Sequence, residues 1–348
     1  MTSIHTLSEL LQGSGCHYAI YDLGRRLNAI SQTQFSNIEA GKSPYPYPLQ
    51  RKAHLAIAYW NDTKQPWIWF LKFDLDERGL LQPGDIGQFL HYVFEAMGSR
   101  LSGDLSQADQ QKLANNPFTY KPTEDKLAVF HSQLRTQLKM PTSAYYEHAQ
   151  HYLSGQLGWE NWQTVGLQGI SDVCARLDSE QNSVLVRKAL PHLPTEPRYA
   201  LLGALEHGVI NETLAKRVIE LAEFEIDQAS PDLFLIAAYL RALSGADAKL
   251  CLPLVSRILN APELAHPEIL IAIAGRSWHW LALDGMAEPF LIALANGQRP
   301  ALFQQVFADL VMLPPLRLIL LPLLHSSPSP QLAQALQNLQ QSTRGQEA

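Results

Sequence analysis

Two adjacent arginines carry the most suggestive polar chemistry in the sequence. Arg25 and Arg26 follow Asp22-Leu-Gly24, in which the glycine favours a tight turn. Two guanidinium groups on such a turn could bind a phosphate or a carboxylate through paired hydrogen bonds. The simpler alternative is a solvated hairpin turn in which one arginine pairs with Asp22 or with a neighbouring carboxylate. The pattern therefore indicates either an anion site or a structural turn.

A tryptophan-rich segment is the second candidate for binding. Trp278-His279-Trp280 follows Arg276 near the end of a predicted helix. Tryptophans on neighbouring helical turns often fill a helical core, but an exposed one would anchor a protein interface. Trp159 and Trp162 allow the same two interpretations. The predicted interaction residues of the chain are Arg25, Arg26, Trp278, His279 and Trp280.

Two histidines lie at a spacing that suits a metal ion. His148 and His151 would share one face of a helix, and Glu147 precedes them. The order Glu-His-Ala-Gln-His places no general base between the ligands, whereas the zincin motif reads His-Glu-x-x-His. Tyrosines flank the pair on both sides, which favours an aromatic helix face. We therefore predict no metal site.

The sequence contains neither a phosphate-binding loop nor a nucleophile elbow. Gly13-Ser-Gly15 lacks the third glycine of a dinucleotide fingerprint and precedes a predicted strand instead of following one. No GxxxxGK[ST] or GxSxG motif occurs. The carboxylates at Asp74, Asp76 and Glu77 follow a strand without an accompanying base, which is typical of a solvated strand end. We predict no catalytic residue and no cofactor.

Three cysteines stand alone in the sequence. Cys16, Cys174 and Cys251 have no CxxC spacing and are too few for a disulfide framework. Each is predicted to be a small buried apolar residue.

The first hundred residues predict a small α+β domain. Thr6-Leu-Ser-Glu9 and Ser31-Gln-Thr-Gln34 are capping boxes that begin helices. Strands are predicted at 18–23, 27–30, 53–60 and 67–74, and a third helix begins at Pro83. The last of these strands is apolar on one face and mixed on the other, which predicts an antiparallel sheet covered on one side.

A proline-led period organises the second half. Five prolines begin apolar helices, with gaps of 34, 36, 33 and 30 residues by subtraction: Pro197, Pro231, Pro267, Pro300 and Pro330. A period in this range is typical of helix-pair repeats, which stack because each pair leaves an apolar face that only a neighbour can cover. Further helices are predicted at 123–139, 142–156, 159–177 and 179–190.

These elements predict four segments. Residues 1–100 form the α+β domain, 101–122 a polar linker, 123–339 an α-helical repeat domain, and 340–348 a disordered tail. The helical half resembles a HEAT-type α-solenoid in architecture, although no consensus motif of that family matches.

Charge and hydropathy argue against some classes of function. The 348 residues include 27 basic and 33 acidic ones, and a net charge of −6 argues against a nucleic-acid partner. The most apolar stretch, 310–324, is interrupted by prolines and falls short of a membrane span. The start of the chain lacks the basic and apolar regions of a signal peptide. We expect a cytoplasmic protein.

Three motifs resemble an uncharacterised proteobacterial family of unknown function: Tyr21-Asp-Leu-Gly-Arg-Arg26, Pro44-Tyr-Pro-Tyr-Pro48 and Trp67-Ile-Trp-Phe-Leu-Lys72. The resemblance implies a bacterial cytoplasmic protein and brings no activity with it. Our leading hypothesis is a non-enzymatic scaffold or adaptor that binds a partner protein on a solenoid surface. The alternatives are an anion-binding or enzymatic N-terminal module using Arg25 and Arg26, and a nucleic-acid-associated factor.

Overall fold

The computed structural model describes residues 4–62, 65–97, 113, 115–179, 181–283, 285–324 and 329–346. The chain divides into two units. The first, here called the α+β unit, comprises Met1–Thr123 with Met312–Pro314. The second, the helical unit, comprises Glu124–Val311 with Pro315–Ala348. The predicted linker at 101–122 lies mostly outside the described residues.

The α+β unit contains a four-stranded antiparallel sheet, as the sequence predicts. Its strands are β1 (His17–Asp22), β2 (Asn28–Ile30), β3 (Lys52–Trp60) and β4 (Trp67–Asp74), in the order β2-β1-β3-β4. In the register, Ile20 lies opposite Ile57, and Ile57 lies opposite Trp69. Residues paired across neighbouring strands point to the same face of a sheet, so these three buried side chains lie on one face.

Three helices contribute to the core of this unit: α1 (Leu7–Gly13), α2 (Gln32–Glu39) and α3 (Pro83–Met97). Trp69, Leu71 and Phe73 of β4 are buried with residues of all three helices, and Trp67 packs against the same cluster. These four side chains therefore share one face of β4.

The amino end of α1 is capped twice. Thr6 and Glu9 form the predicted reciprocal capping box. Glu39, at the end of α2, adds a second cap, since its carboxylate accepts hydrogen bonds from the backbone N–H of Leu7 at 2.7 Å and of Ser8 at 3.1 Å. Burial raises the pKa of Glu39 despite these donors. The first helix is thus attached to the second through a buried carboxylate.

The prediction of a sheet covered on one side is wrong at β3. Ala56 and Ala58, on the face opposite the core cluster, are fully buried as well. Part of the cover on this face comes from Tyr120, whose ring lies 5.4 Å from that of His54 and 6.4 Å from that of Phe70. The Tyr120 segment reaches this place because its backbone N–H donates to Phe70 O. A segment far along the chain therefore covers strand residues that the strand pattern alone leaves exposed.

The helical unit consists of helices within the described residues, as predicted. Their bounds are α4 Glu124–Gln137, α5 Tyr146–Leu153, α6 Leu167–Cys174, α7 Asn182–Ala189, α8 Thr195–Leu205, α9 Glu212–Ile226, α10 Leu233–Ala242, α11 Ala248–Leu259, α12 Pro267–Arg276, α13 Ala287–Asn296, α14 Pro300–Val311, α15 Pro314–Leu323 and α16 Pro330–Gln346. Short 3-10 helices lie at Trp159–Thr164, Leu243–Gly245, Pro262–Leu264 and Trp278–Ala282.

The helices pack in an alternating order. Helix α10 contacts both α8 and α12, while α9 contacts both α7 and α11. Consecutive helices of a pair, such as α9 and α10, also contact each other. From α7 to α12, helices two places apart in the chain therefore contact each other, which gives two adjacent rows, α7-α9-α11 and α8-α10-α12.

The prolines mark the helix starts with small offsets. Pro267, Pro300 and Pro330 are the first residues of their helices, where the missing N–H costs nothing. Pro231 instead precedes Asp232, whose side chain caps α10, and Pro197 is the third residue of α8. The predicted single helix at 159–177 is wrong. It divides into a 3-10 helix and α6 because Gly166 adopts an extended conformation.

A buried glutamate connects the ends of three helices in one row. Glu206, after α8, accepts from Arg276 Nε at 2.8 Å, lies 3.1 Å from His207 Nε2, and lies 3.6 Å from Arg241 Nε. Glu206, Arg241 and Arg276 are spaced by 35 residues each, by subtraction. We call these residues with His207 the inter-helix charge cluster.

The charge cluster holds its glutamate ionised. Burial alone would raise the pKa of Glu206, but the hydrogen bond and charge of His207 and the guanidinium of Arg276 outweigh it and lower the pKa to about 2. Burial lowers the pKa of His207. The Glu206 carboxylate therefore connects the three helix ends through its hydrogen bond to Arg276 and its longer ion pair with Arg241.

No helix among the described residues is long and apolar enough to cross a membrane.

Candidate binding groove

The arginine turn is largely enclosed by its own unit. Arg25 is fully buried, and its Nε donates to Pro48 O at 2.8 Å. Its backbone N–H donates to Asp22 Oδ2 at 3.3 Å, while Asp22 Oδ1 accepts from the Tyr45 hydroxyl at 2.7 Å. Burial, followed by the charge of Asp22, holds the pKa of Tyr45 well above its usual range. Arg25 therefore attaches the turn to the proline-rich segment.

A side chain at Gly24 would force its neighbours in this turn to move. A Cβ atom there would lie 3.2 Å from Asp22 Oδ1 and 3.3 Å from His54 Nδ1. Arg26, next to the buried Arg25, is only half-buried. The anion-binding role of the arginine pair stays a prediction.

The tryptophan-rich segment forms the 3-10 helix Trp278–Ala282. Trp280 is fully buried and is the largest such side chain, so it fills the core of the helical unit. Trp278 and His279 are half-buried, with ring centroids 5.7 Å apart. Only these two members of the predicted segment retain accessible surface.

A groove of about 990 Å³ lies in the helical unit between α5, α7, α9 and the 3-10 helix Trp159–Thr164. We call it the basic groove. Its aromatic and apolar lining is Leu153, Trp159, Leu185, Pro191 and His192. Its charged lining is Arg187, Lys188, Glu212, Lys216, Arg217 and Glu220, and Ser154 and Thr213 complete it. The volume is at the upper end of the range for small-molecule sites, which suits an extended ligand.

Trp159 is held in place in this groove by three contacts. Its ring stacks on that of His192, with centroids 5.6 Å apart and planes at 16°. The buried Tyr152 packs against it edge to face at 5.8 Å and donates its hydroxyl hydrogen to Trp159 O at 3.0 Å. Gly155 has a φ of +83°, and a Cβ atom there would lie 3.0 Å from the indole ring. The half-buried indole is therefore a preorganised aromatic surface.

A buried asparagine fixes the helices that line one side of the groove. Asn182, at the start of α7, donates its Nδ2 hydrogens to the Tyr146 hydroxyl and to Arg176 O, both at 2.8 Å. Its Oδ1 accepts from Gln150 Nε2 at 2.8 Å. Tyr146 and Gln150 belong to α5 and Arg176 follows α6, so one side chain connects three helices.

The charges of the groove are only partly balanced. Lys216 pairs with Glu212 at 2.6 Å, and Arg217 pairs with Glu220 at 2.9 Å. Arg187 and Lys188, in the last turn of α7, have no carboxylate partner in the part of the chain that the structure describes. Four cations and two carboxylates leave the lining with an excess of two positive charges (4 − 2), whereas the whole chain carries −6.

The predicted metal-spacing histidines have other contacts. His148 Nε2 lies 3.0 Å from Thr164 Oγ1, and His151 is exposed. Within the described ranges, no group of three or more histidine, cysteine, aspartate or glutamate side chains could hold a metal ion. Cys16, Cys174 and Cys251 are buried free thiols, as predicted, and burial raises the pKa of Cys251 to about 12.

Comparison with protein families decides the relationship of the chain. The family model described as "Protein of unknown function (DUF3549)" matches residues 2–340. The chain belongs to the DUF3549 family. No curated protein and no solved structure matches it. The matched span of this DUF3549 protein includes both the arginine turn and the basic groove.

Sequence reasoning singled out Trp159 but missed the cations of the DUF3549 groove. A signal was present, since Arg187-Lys188 and Lys216-Arg217 are two basic dipeptides separated by 29 residues (216 − 187). That interval is close to one helix pair, so stacking brings the two dipeptides to neighbouring helices. Trp159 lines the same groove as the two dipeptides only because of tertiary packing, and no local sequence pattern indicates this proximity.

Proposed function

We propose that this protein is a scaffold or adaptor whose helical unit has a HEAT-like α-solenoid architecture and binds a partner protein. The alternating helix contacts support the architecture, because stacked helix pairs pack in this order. The 35-residue spacing of the charge cluster adds support, since it connects equivalent ends of α8, α10 and α12.

The observation that carries the proposal is the basic groove. It combines a preorganised tryptophan with cations on two neighbouring helices, α7 and α9. Aromatic and arginine side chains are the residues that most often dominate the energy of protein interfaces. Because the Trp159 ring is already stacked on His192, its side chain would lose little conformational entropy when a partner binds.

Binding is favoured over catalysis by where the perturbed groups lie. Catalytic acids and bases are recognised by shifted pKa values in an open cleft. In the helical unit, the glutamate whose pKa is lowered to about 2 is Glu206, which is buried between helix ends and hydrogen-bonded by Arg276. The Glu206 carboxylate has a structural role between helix ends, and it does not line the groove.

We place this binding activity in the bacterial cytoplasm. The three buried free cysteines support a reducing compartment, since extracellular proteins commonly oxidise such residues in pairs.

The proposal is tested by affinity capture with matched tryptophan variants. Tagged full-length protein is used to isolate partners from its own cells at moderate salt, and the bound proteins are quantified by mass spectrometry. Trp159→Ala is compared with Trp162→Ala, because Trp162 is also half-buried and lies outside the groove lining. Both variants are first checked for wild-type helicity by circular dichroism.

We expect a partner in stoichiometric amount that is lost with Trp159→Ala and retained with Trp162→Ala. A partner that both variants retain equally would remove the groove from the proposal. The absence of any stoichiometric partner of the wild-type protein would contradict the proposed function.

A further inference from the structure

The basic groove presents two kinds of surface side by side. Arg187 and Lys188 supply positive charge that no carboxylate among the described residues offsets. Lys216 and Arg217 supply positive charge that exposed glutamates of the same helix already offset. Such exposed pairs are weak, so a ligand carboxylate could replace Glu212 or Glu220 at little cost.

The apolar surface lies next to these charges. Trp159 and His192 form one stacked aromatic pair, and Leu185 and Pro191 add aliphatic surface from α7 and its end. A ligand that is only charged would leave this surface in water. A ligand that is only apolar would leave Arg187 and Lys188 without counter-charge.

We propose that the occupant of the basic groove is an acidic segment of a protein chain, in which carboxylates flank a large apolar side chain. This inference rests on the proposed function and specifies the partner. The carboxylates bind Arg187 and Lys188, and the apolar side chain packs on Trp159. Arginine suits this role because its planar group can donate two parallel hydrogen bonds to one carboxylate.

A nucleic acid fits the groove less well. Its phosphates are closely spaced, and binding depends on neutralising many of them at once. Glu212 and Glu220 are exposed in the lining and would repel the closely spaced phosphates of such a polyanion. Sparse carboxylates on a peptide can avoid these glutamates while using the two unbalanced cations.

The test selects ligands without assuming their sequence. A phage library of random twelve-residue peptides is panned against the full-length protein, and recovered peptides are measured by fluorescence anisotropy. Arg187→Glu/Lys188→Glu is compared with Lys139→Glu/Lys249→Glu, which reverses two exposed lysines outside the groove. Both double variants change the net charge from −6 to −10 (two charges from each position), so they are matched. Arg187→Gln/Lys188→Gln is a milder variant should the reversal perturb folding, and Trp159→Ala reports on the apolar contact.

We expect recovered peptides to be enriched in aspartate and glutamate with at least one large apolar residue. Groove reversal should weaken them by about tenfold or more, whereas the control reversal leaves them within about threefold. Raised salt should weaken binding as well.

Three other outcomes would overturn the inference. Peptides that need Trp159 but show no acidic enrichment would keep the proposed function and reject the charge complementarity. Tighter binding of an oligouridine of about twenty nucleotides than of any peptide, lost on groove reversal, would assign the groove to nucleic acid. No peptide sensitive to either Trp159→Ala or groove reversal would reject both the inference and the groove as the binding site.

Discussion

The charge cluster and the basic groove both gather arginines around glutamates in the helical unit, but they use them differently. In the charge cluster, Arg241 and Arg276 surround one buried carboxylate, and the contacts connect different helices. In the groove, each glutamate pairs with a cation of its own helix, and two cations are left over. The arginines of the charge cluster are therefore paired with a carboxylate of the protein, whereas the groove retains two cations that can bind a ligand.

This difference indicates how binding capacity can be recognised in a helical protein. A buried pair is costly to break because removing one partner leaves a charge in a dry environment. An exposed pair within one helix contributes little and exchanges readily with water or a ligand. Measurements of the free energy of unfolding should therefore separate the two regions.

Removing the central carboxylate should have the largest effect. Glu206→Ala leaves His207 buried and two arginines without their acceptor, so we expect a loss of about 3 kcal/mol in the free energy of unfolding. The arginines are partly exposed, which keeps the loss below that of a fully buried pair. Urea denaturation followed by circular dichroism measures it.

The matched control for this variant is Glu212→Ala, which removes an exposed glutamate paired at i,i+4 with Lys216. It should cost about 0.5 kcal/mol or less. Equal losses for the two variants would show that burial does not distinguish the two regions.

The charge cluster should also make stability depend on acid. The pKa of Glu206 is about 2 in the folded chain against 4.5 for the free side chain, so its contribution is present above pH 4.5 and is lost as the pH falls toward 2. Converting this difference at about 1.4 kcal/mol per pH unit gives about 3 kcal/mol in all, of which about 2 kcal/mol is lost between pH 4.5 and 3. The lowered pKa of His207 adds a loss that begins below pH 6.5, because the unfolded imidazole protonates first.

Unfolding free energies of the wild type and Glu206→Gln from pH 7 to pH 3 give the measurement. The stability difference between them should narrow as the pH falls below 4.5. A difference that stays constant over this range would contradict a depressed pKa at Glu206.

The smallest effect is expected in the groove. Arg187→Gln/Lys188→Gln should lower the free energy of unfolding by only about 0.3–1 kcal/mol. These cations have no carboxylate partner among the described residues, and what is lost is their favourable interaction with the carboxyl end of α7. Thermal unfolding against the wild type measures this small change. A loss as large as that of Glu206→Ala would mean that these cations serve packing, and the contrast between the two regions would disappear.

Local patterns predicted most of the elements but neither charged region. The capping box at Thr6, the four strands and the proline-led helix starts depend on neighbours along the chain, so the sequence indicates them directly. The groove depends on the positions of Trp159, Arg187 and Lys216, which belong to different elements and meet only after the helices stack. The same limit hid the role of Tyr120, which reaches β3 through pairing with β4.

The charge cluster stands between these cases. The sequence contains the 35-residue spacing of Glu206, Arg241 and Arg276. The proline period, however, indicates where helices begin and does not indicate which residues meet at their ends. Trp280 shows the converse limit. A tryptophan beside a histidine suits a core or an interface equally well, and only packing places it in the core.

The carboxylate of Glu39 has a consequence for how the chain is made. It satisfies the backbone donors of Leu7 and Ser8, which lie 32 and 31 residues before it. During translation, α1 therefore leaves the ribosome well before this cap exists. A helix of seven residues is too short to be stable by itself in water. The first helix must then wait for the second, so the amino-terminal unit orders its beginning only after a later segment has emerged.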